Sequence, residues 1–388
     1  MGTDFKMSTR SAVERYSDAL VGLSRSIHAE PEQAFAEHRS AAKVADLLAA
    51  EGFEVERGVA DLETAFTASF GSGELVLGLC AEYDALPEVG HACGHNVIAA
   101  ASTGAALALR DLADELGLTI RVIGTPAEEV GGGKVLMLER GVFDDVAFSM
   151  MVHPAPYEAV AARSLAITDV EVHYSGKSSH AAAAPHLGVN AADAITVAQV
   201  AIGLVRQHLE PGQMVSGIVT RGGTVPNVVP ANTSAMFDLR ADDLDSLRRL
   251  EERINRCFEA GAVATGCTHE VVKVSPVYAE LTPDPWLADA YRRAAVELGR
   301  NPMSPEQELK EKIGSTDMGN ITRALPAIHP TIAIDCGDAV NHQIEFATAC
   351  ASASADRAVL DGALALAWTT ISAATDGAQR SRLLVGAA

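Results

Sequence analysis

Basic residues are scarce in this chain. Lys and Arg number 30 against 51 Asp and Glu, a formal net charge of −21, and no block of Lys and Arg interrupts the excess. A surface of that sign repels a phosphate backbone, so nucleic-acid binding is excluded as an expectation. An anionic small substrate is not excluded, because one local basic group suffices to hold it. Apolar runs of membrane-spanning length are missing too. Met1 to Lys6 holds neither the apolar core of a signal peptide nor the hydroxyl residue of a myristoylation motif. Cysteine is sparse: Cys80, Cys93, Cys257, Cys267, Cys336 and Cys350 are scattered without a framework spacing, which suits a reducing compartment. A cytoplasmic enzyme, with no nucleic-acid or membrane partner, is the expectation. Repeats and low-complexity segments are absent, and 388 residues with 48% hydrophobic content supply core enough for two domains.

What is present is a strand–loop–helix rhythm. Residues 11–28 carry Val13, Tyr16, Leu20, Leu23 and Ile27 at helical spacing, and a second helix runs from about Glu37 to Glu51. Residues 53–55 and 65–68 read as edge strands. Then strand 75–80, helix 96–116, strand 118–123, helix 133–140 and strand 146–151 alternate, which implies a mostly parallel sheet between helices. Residues 166–279 break the rhythm. Strand 165–174, helix 190–209, strands 215–220 and 233–239, helix 244–260 stopped by Gly261, and strand 269–274 read as a βαββαβ, ferredoxin-like unit. It is inserted into a catalytic domain of residues 1–165 and 280–388. After it come a helix over 286–298, a loop over 313–320, a short strand 331–334 and a closing helix over 351–371. The tail from Thr375 is expected to be loosely held.

In α/β sheets, ligands gather beyond the carboxyl ends of the strands. Ligand-type side chains stand at four such ends: Asp84, Cys93 and His95; Glu128 and Glu129; His153; and His342 after Asp338 and Asn341. Thiolate and imidazole two positions apart on a glycine-flanked loop suit zinc or a related divalent ion. Adjacent acids at a strand end diverge, so Glu129 reads as a ligand and Glu128 as the base that takes a proton from water and returns it to a leaving amine. Two solvated acids at a helix N-terminus are the bland alternative. Cys93 as a thiol nucleophile, or a catalytically silent binding protein, are the competing functions.

Four segments carry a resemblance: Gly90-His91-Ala92-Cys93-Gly94-His95-Asn96, Gly124-Thr125-Pro126-Ala127-Glu128-Glu129, His153-Pro154, and Gly314-Ser315-Thr316-Asp317-Met318-Gly319-Asn320. Together they resemble the metal-dependent amidohydrolase and aminoacylase family that includes hippurate hydrolase, auxin-conjugate hydrolases and p-aminobenzoyl-glutamate hydrolase. The His-Ala-Cys-Gly-His-Asn form is most similar to the p-aminobenzoyl-glutamate hydrolase and β-alanyl dipeptidase-like branch. The resemblance, from about Ser26 to His342, implies a zinc-peptidase-like catalytic domain and two divalent ions per chain, zinc or manganese. It implies Cys93, His95, Glu129, His153 and His342 as ligands, with Cys93 as the bridge and a hydroxide between the ions attacking a scissile amide. Asp84 would orient a ligand from behind. His180, in Gly176-Lys177-Ser178-Ser179-His180-Ala181, would reach the active site of a partner protomer and polarise the substrate carbonyl there. Asn227 and Arg240 would bind the substrate, Arg240 through its carboxylate. A homodimer or higher homo-oligomer, formed through the insertion acting as a lid and dimerisation domain, is implied as well. Asn96 departs from the Asp of the hippurate and auxin branches, and the Gly131-Gly132-Gly133-Lys134 loop has no role that the sequence explains.

Overall fold

Strand β3 (Leu75–Glu82) is buried along nearly its whole length, as its apolar run demands of a strand covered on both faces. It lies inside the main sheet, between the strands Leu118–Thr125 and Phe148–Met150. In chain order the strands are β1 (Glu54–Arg57), β2 (Phe66–Phe70), β3, β4 (Leu118–Thr125), β5 (Phe148–Met150) and β6 (His153–Ala155). These are followed by β7 (Ala166–Ser175), β8 (Met214–Arg221), β9 (Asn232–Ala241), β10 (Thr268–Lys273), β11 (Ala327–Ile328) and β12 (Thr331–Ala333). The structure is a computed structural model, and it describes residues 2–311 and 313–386. The chain divides into two compact units, Met1–Arg163 with Leu281–Ala388, and Ser164–Glu280.

The first unit is built on a six-stranded sheet of order β1-β2-β4-β3-β5-β11. β4, β3, β5 and β11 run parallel, while β1 and β2 are antiparallel to their neighbours. β2 is therefore an interior strand, not the edge expected of it. β6 and β12 form a separate parallel pair, so His153, just beyond the end of main-sheet strand β5, opens a short strand of its own. The helix His95–Arg110 is buried on all sides from His95 to Leu109 and packs between the helices Gly2–Ala29 and Ala353–Thr375. A Cβ at Gly104 would stand 2.8 Å from the Ala363 Cβ and 2.9 Å from Leu20. That close approach explains the run of small residues.

Several expectations need correction here. The first helix starts at Gly2, because Thr9 accepts the Trp368 indole N–H at 3.0 Å and Phe5 is buried. The loop over 313–320 gives way at Met318 to a helix, Met318–Ala324. The tail is a docked helix, Gly377–Gly386, with Leu383 fully buried and Arg380 donating to the Leu116 carbonyl at 2.8 Å. Ala353–Thr375 is long and apolar enough to cross a membrane, contrary to the reading of the sequence, and 72% of its apolar window is buried in the protein core.

The second unit is an antiparallel sheet of order β10-β7-β9-β8, the ferredoxin-like arrangement. The helices Ala191–Val205 and Leu244–Thr265 cover one face around Tyr174, Phe237 and Phe258. Gly261 does not stop the second of these helices. A Cβ there would come within 2.4 Å of the Ala194 carbonyl, so Gly261 lets the two helices touch, and the helix ends at Gly266 in the left-handed region.

Candidate metal centre

The centre lies where β3 and β4 end. β3 closes with Glu82, and the chain then passes Asp84 and a loop to Cys93 before the buried helix begins at His95. β4 closes at Thr125 and delivers Glu128 and Glu129. Ala127, just before them, adopts φ +58, a conformation costly for a residue with a Cβ. Glu37 holds it there, one carboxylate oxygen accepting the Ala127 N–H at 2.9 Å and the other the Thr64 hydroxyl at 2.9 Å. Burial raises the Glu37 pKa to about 7, with Asp84 adding to it. His342, at φ +72, is pinned by its N–H to the Ala92 carbonyl at 2.9 Å.

His95 is wholly buried. Its Nδ1 bonds Asp84 Oδ1 at 2.9 Å, and Asp84 Oδ2 accepts the Glu129 N–H at 3.0 Å. One carboxylate thus orients two candidate ligands. His95 Nε2 faces Glu82 at 3.5 Å, Glu129 at 3.8 Å and Glu128 at 3.9 Å. Ligand atoms of Cys93, His95 and His153 lie within 4.8 Å of one another, as do those of Cys93, Glu129 and His342, and those of His95, Glu128 and Glu129. Cys93, His95 and Glu129 each belong to two of these groups. His153 Nδ1 meets the Pro154 carbonyl at 2.8 Å, which fixes the proton there and leaves Nε2 with its lone pair. Burial, then His329 and His95, depress the His153 pKa to about 3, so the ring is neutral and able to ligate.

The donor set fits divalent cations. His95 Nε2 and Glu129 Oε1 are buried without a hydrogen-bond partner, and such atoms are costly unless something binds them. Burial disfavours a charged His95, yet Asp84, Glu82 and Glu129 outweigh it and hold the imidazole well above its ordinary pKa; the site demands positive charge. Burial, followed by Glu129 and Glu128, pushes the Cys93 thiol well above its usual range. Without a cation, Cys93 is a protonated thiol, the wrong state for a nucleophile; a bound cation reverses that. Burial with Glu82, Glu129 and Asp317 likewise raises Glu128 well above the carboxylate range.

Asn96 faces away from this cluster. Its amide donates to Ser24 Oγ at 2.8 Å and to the Cys350 carbonyl at 3.0 Å. An Asp could supply neither donor, so the departure at position 96 is explained by packing.

Three residues to which the sequence assigned no role stand beside the centre. Glu82, Lys134 and Asp317 are buried together, Lys134 Nζ pairing with Glu82 and, at 2.7 Å, with Asp317. His329, which precedes Pro330, is buried with its ring 5.3 Å from that of His153.

In the second unit, His180 Nδ1 accepts the N–H groups of Ala182 at 3.2 Å and Ala183 at 3.1 Å. That leaves the proton on Nε2 of an exposed ring, able to donate. The Ala181 N–H bonds the Asn227 carbonyl at 3.0 Å, so His180 and Asn227 are neighbours. Arg240 is elsewhere. It lies near the far end of β9 from Asn232, roughly 26 Å along an extended strand, and its guanidinium pairs with Asp238 at 2.9 Å.

A profile described as "Peptidase family M20/M25/M40" matches residues 78–349. Over 386 residues the chain is 37% identical to the Xaa-Arg dipeptidase of Mus musculus, covering 95% of this chain and 89% of that protein. The chain belongs to peptidase family M20/M25/M40. It is a hydrolase of peptide or amide bonds. Among M20 relatives, one of the p-aminobenzoyl-glutamate hydrolase polypeptides of Escherichia coli (strain K12) is 34% identical over 278 residues, covering 66% of this chain and 57% of that one. The fold matches a solved Bacillus subtilis protein, YXEP, described as a dinuclear metal-binding peptidase from the M20 family. The TM-score is 0.69 at 21% identity, over 92% of this chain and 98% of that one.

Proposed function

We propose that this M20 protein is a dinuclear metal-dependent amidohydrolase acting on dipeptide-like or N-acyl-amino-acid substrates, p-aminobenzoyl-glutamate among them. The observation that carries the reading is the sharing of Cys93 by two ligand groups, one with His95 and His153 and one with Glu129 and His342. Two divalent ions, zinc or manganese, would be held by these residues and would supply Lewis-acid polarisation of the amide carbonyl and activation of water.

The chain's own residues do the rest. Glu128 takes a proton from the attacking water and passes it to the leaving nitrogen. Asp84 holds His95 and Glu129 in place. His180, with Asn227 beside it, reaches the centre of a partner protomer, where it offers Nε2–H to a developing oxyanion and Asn227 binds substrate. Arg240 receives the substrate carboxylate by opening its pair with Asp238.

The second unit is read as a lid and dimerisation domain. Strand β8 is a sheet edge that exposes Ile218 and Val219, the kind of edge a protein covers by self-association. Six free cysteines, most of them buried, support a cytoplasmic setting.

The test is a panel of Xaa-Arg and β-alanyl dipeptides, p-aminobenzoyl-glutamate and N-acetyl-amino acids. Turnover of at least one class is expected, with kcat reduced about 10²- to 10⁴-fold in Glu128→Gln. A Glu128→Gln protein with unchanged kcat would remove Glu128 from the chemistry.

A further inference from the structure

Beside the proposed centre, and sharing Glu128 with it, lies a second group of carboxylates. Oxygens of Glu82, Glu128 and Asp317 lie within 4.8 Å of one another, and all three residues are buried. Three carboxylate oxygens at that spacing are what a hard divalent cation takes as ligands. A cation of the chain's own sits there already. Lys134 is fully buried, its ammonium pairs with Glu82 and with Asp317 at 2.7 Å, and its backbone N–H donates to the other Asp317 oxygen at 2.9 Å.

The local chain is shaped to deliver that ammonium. Gly131 and Gly132 take positive φ, and the helix Gly133–Glu139 begins immediately after them. A Cβ on Gly133 would be 1.9 Å from the Pro126 carbonyl oxygen. Glycine is therefore required for the first helical turn to press against the loop that carries Glu128, and Lys134 is the next residue. Burial alone would discharge a lysine, but Asp317, Glu82 and Glu128 outweigh it and keep the ammonium charged.

We propose that Lys134 is a built-in cation that occupies the Glu82–Glu128–Asp317 nest and bars a divalent ion from it. Glu128 is thereby kept out of metal coordination at that position and reserved for proton transfer. Lys134 acts through Glu128 and is a positioning residue. This inference rests on the metal reading above, and it concerns a position outside the ligand groups that share Cys93.

The experiment loads wild type, Lys134→Met and Lys134→Met/Asp317→Asn with Mn²⁺, removes the excess, and counts bound ions by elemental analysis. Lys134→Met is expected to bind about one ion per chain more than wild type, and the double variant to lose it again, since a hard cation needs the full oxygen set. A folded Lys134→Met that binds no more Mn²⁺ than wild type overturns the proposal. Lys134→Gln, closer in length, gives the same readout should the Met variant not fold. Anomalous scattering from Mn²⁺-soaked wild-type crystals is independent of any variant. No peak between Glu82 and Asp317 is expected, and a peak there overturns the proposal. The absolute count in wild type tests the metal reading; the difference between variant and wild type tests the role of Lys134.

Discussion

Asp84→Asn isolates the device that orients the centre. Asp84 is almost fully buried, and both its oxygens accept, one from His95 Nδ1 at 2.9 Å and one from the Glu129 N–H at 3.0 Å. Asn offers one acceptor and one N–H₂. Whichever way the amide turns, one of the two donors faces another donor. The loss is one hydrogen bond to a charged group, worth about 1.5–3 kcal/mol. Supporting residues behind metal ligands typically contribute 10- to 100-fold in affinity, or about 1.4–2.8 kcal/mol. The two figures agree, so a 10- to 100-fold weaker Kd for Zn²⁺ or Mn²⁺ is expected. Competition with a chelator of known affinity measures it, and circular dichroism of the same samples confirms the fold. Asp84→Glu restores the charge but not the placement and should recover little. A folded Asp84→Asn protein with wild-type metal affinity would refute the reasoning, since His95 would then be oriented by something else.

Glu37 predicts a pH signature. Its folded pKa of about 7 lies above the ordinary 4.5, so between those values the folded state binds the extra proton and stability falls as pH rises. Glu37→Gln should gain in Tm relative to wild type from pH 4 to pH 8, by a stability difference on the order of a few kcal/mol; a constant offset would contradict the assignment. Glycine substitutions should split by environment. Gly133→Ala, with backbone oxygen 1.9 Å from the new carbon, should cost about 1–3 kcal/mol in urea unfolding. Gly22→Ala, on a helix with nothing within 4 Å, should gain about 0.5–1 kcal/mol. Equal effects at the two positions would undo that distinction.

The centre was legible where its chemistry is local. Cys93 and His95 are two residues apart at a strand-to-helix turn, Glu128 and Glu129 are adjacent at the next strand end, and these types of side chain are unusual in such places. The cluster of Glu82, Lys134 and Asp317 was not legible. Lys134 and Asp317 meet across 183 positions, and a lone lysine after a glycine run ordinarily reads as solvated. The expected helix stop at Gly261 failed for a related reason: glycine is demanded there by a second helix, which no local pattern reveals. The docked tail escaped because its anchors, Leu116 and Asp284, belong to distant segments. Arg240 was placed by resemblance among the substrate residues, and its pairing with Asp238 was not foreseen.

Metal dependence is the central claim, and the most direct measurement is turnover across chelation and reconstitution. The purified protein should carry about two divalent ions per chain, as two ligand groups sharing one thiolate imply. Dialysis against chelator should abolish amide hydrolysis, and Zn²⁺ or Mn²⁺ should restore it. Hydrolysis that persists in the metal-free protein and is stopped instead by alkylation of Cys93 would contradict the claim and make the thiol the nucleophile.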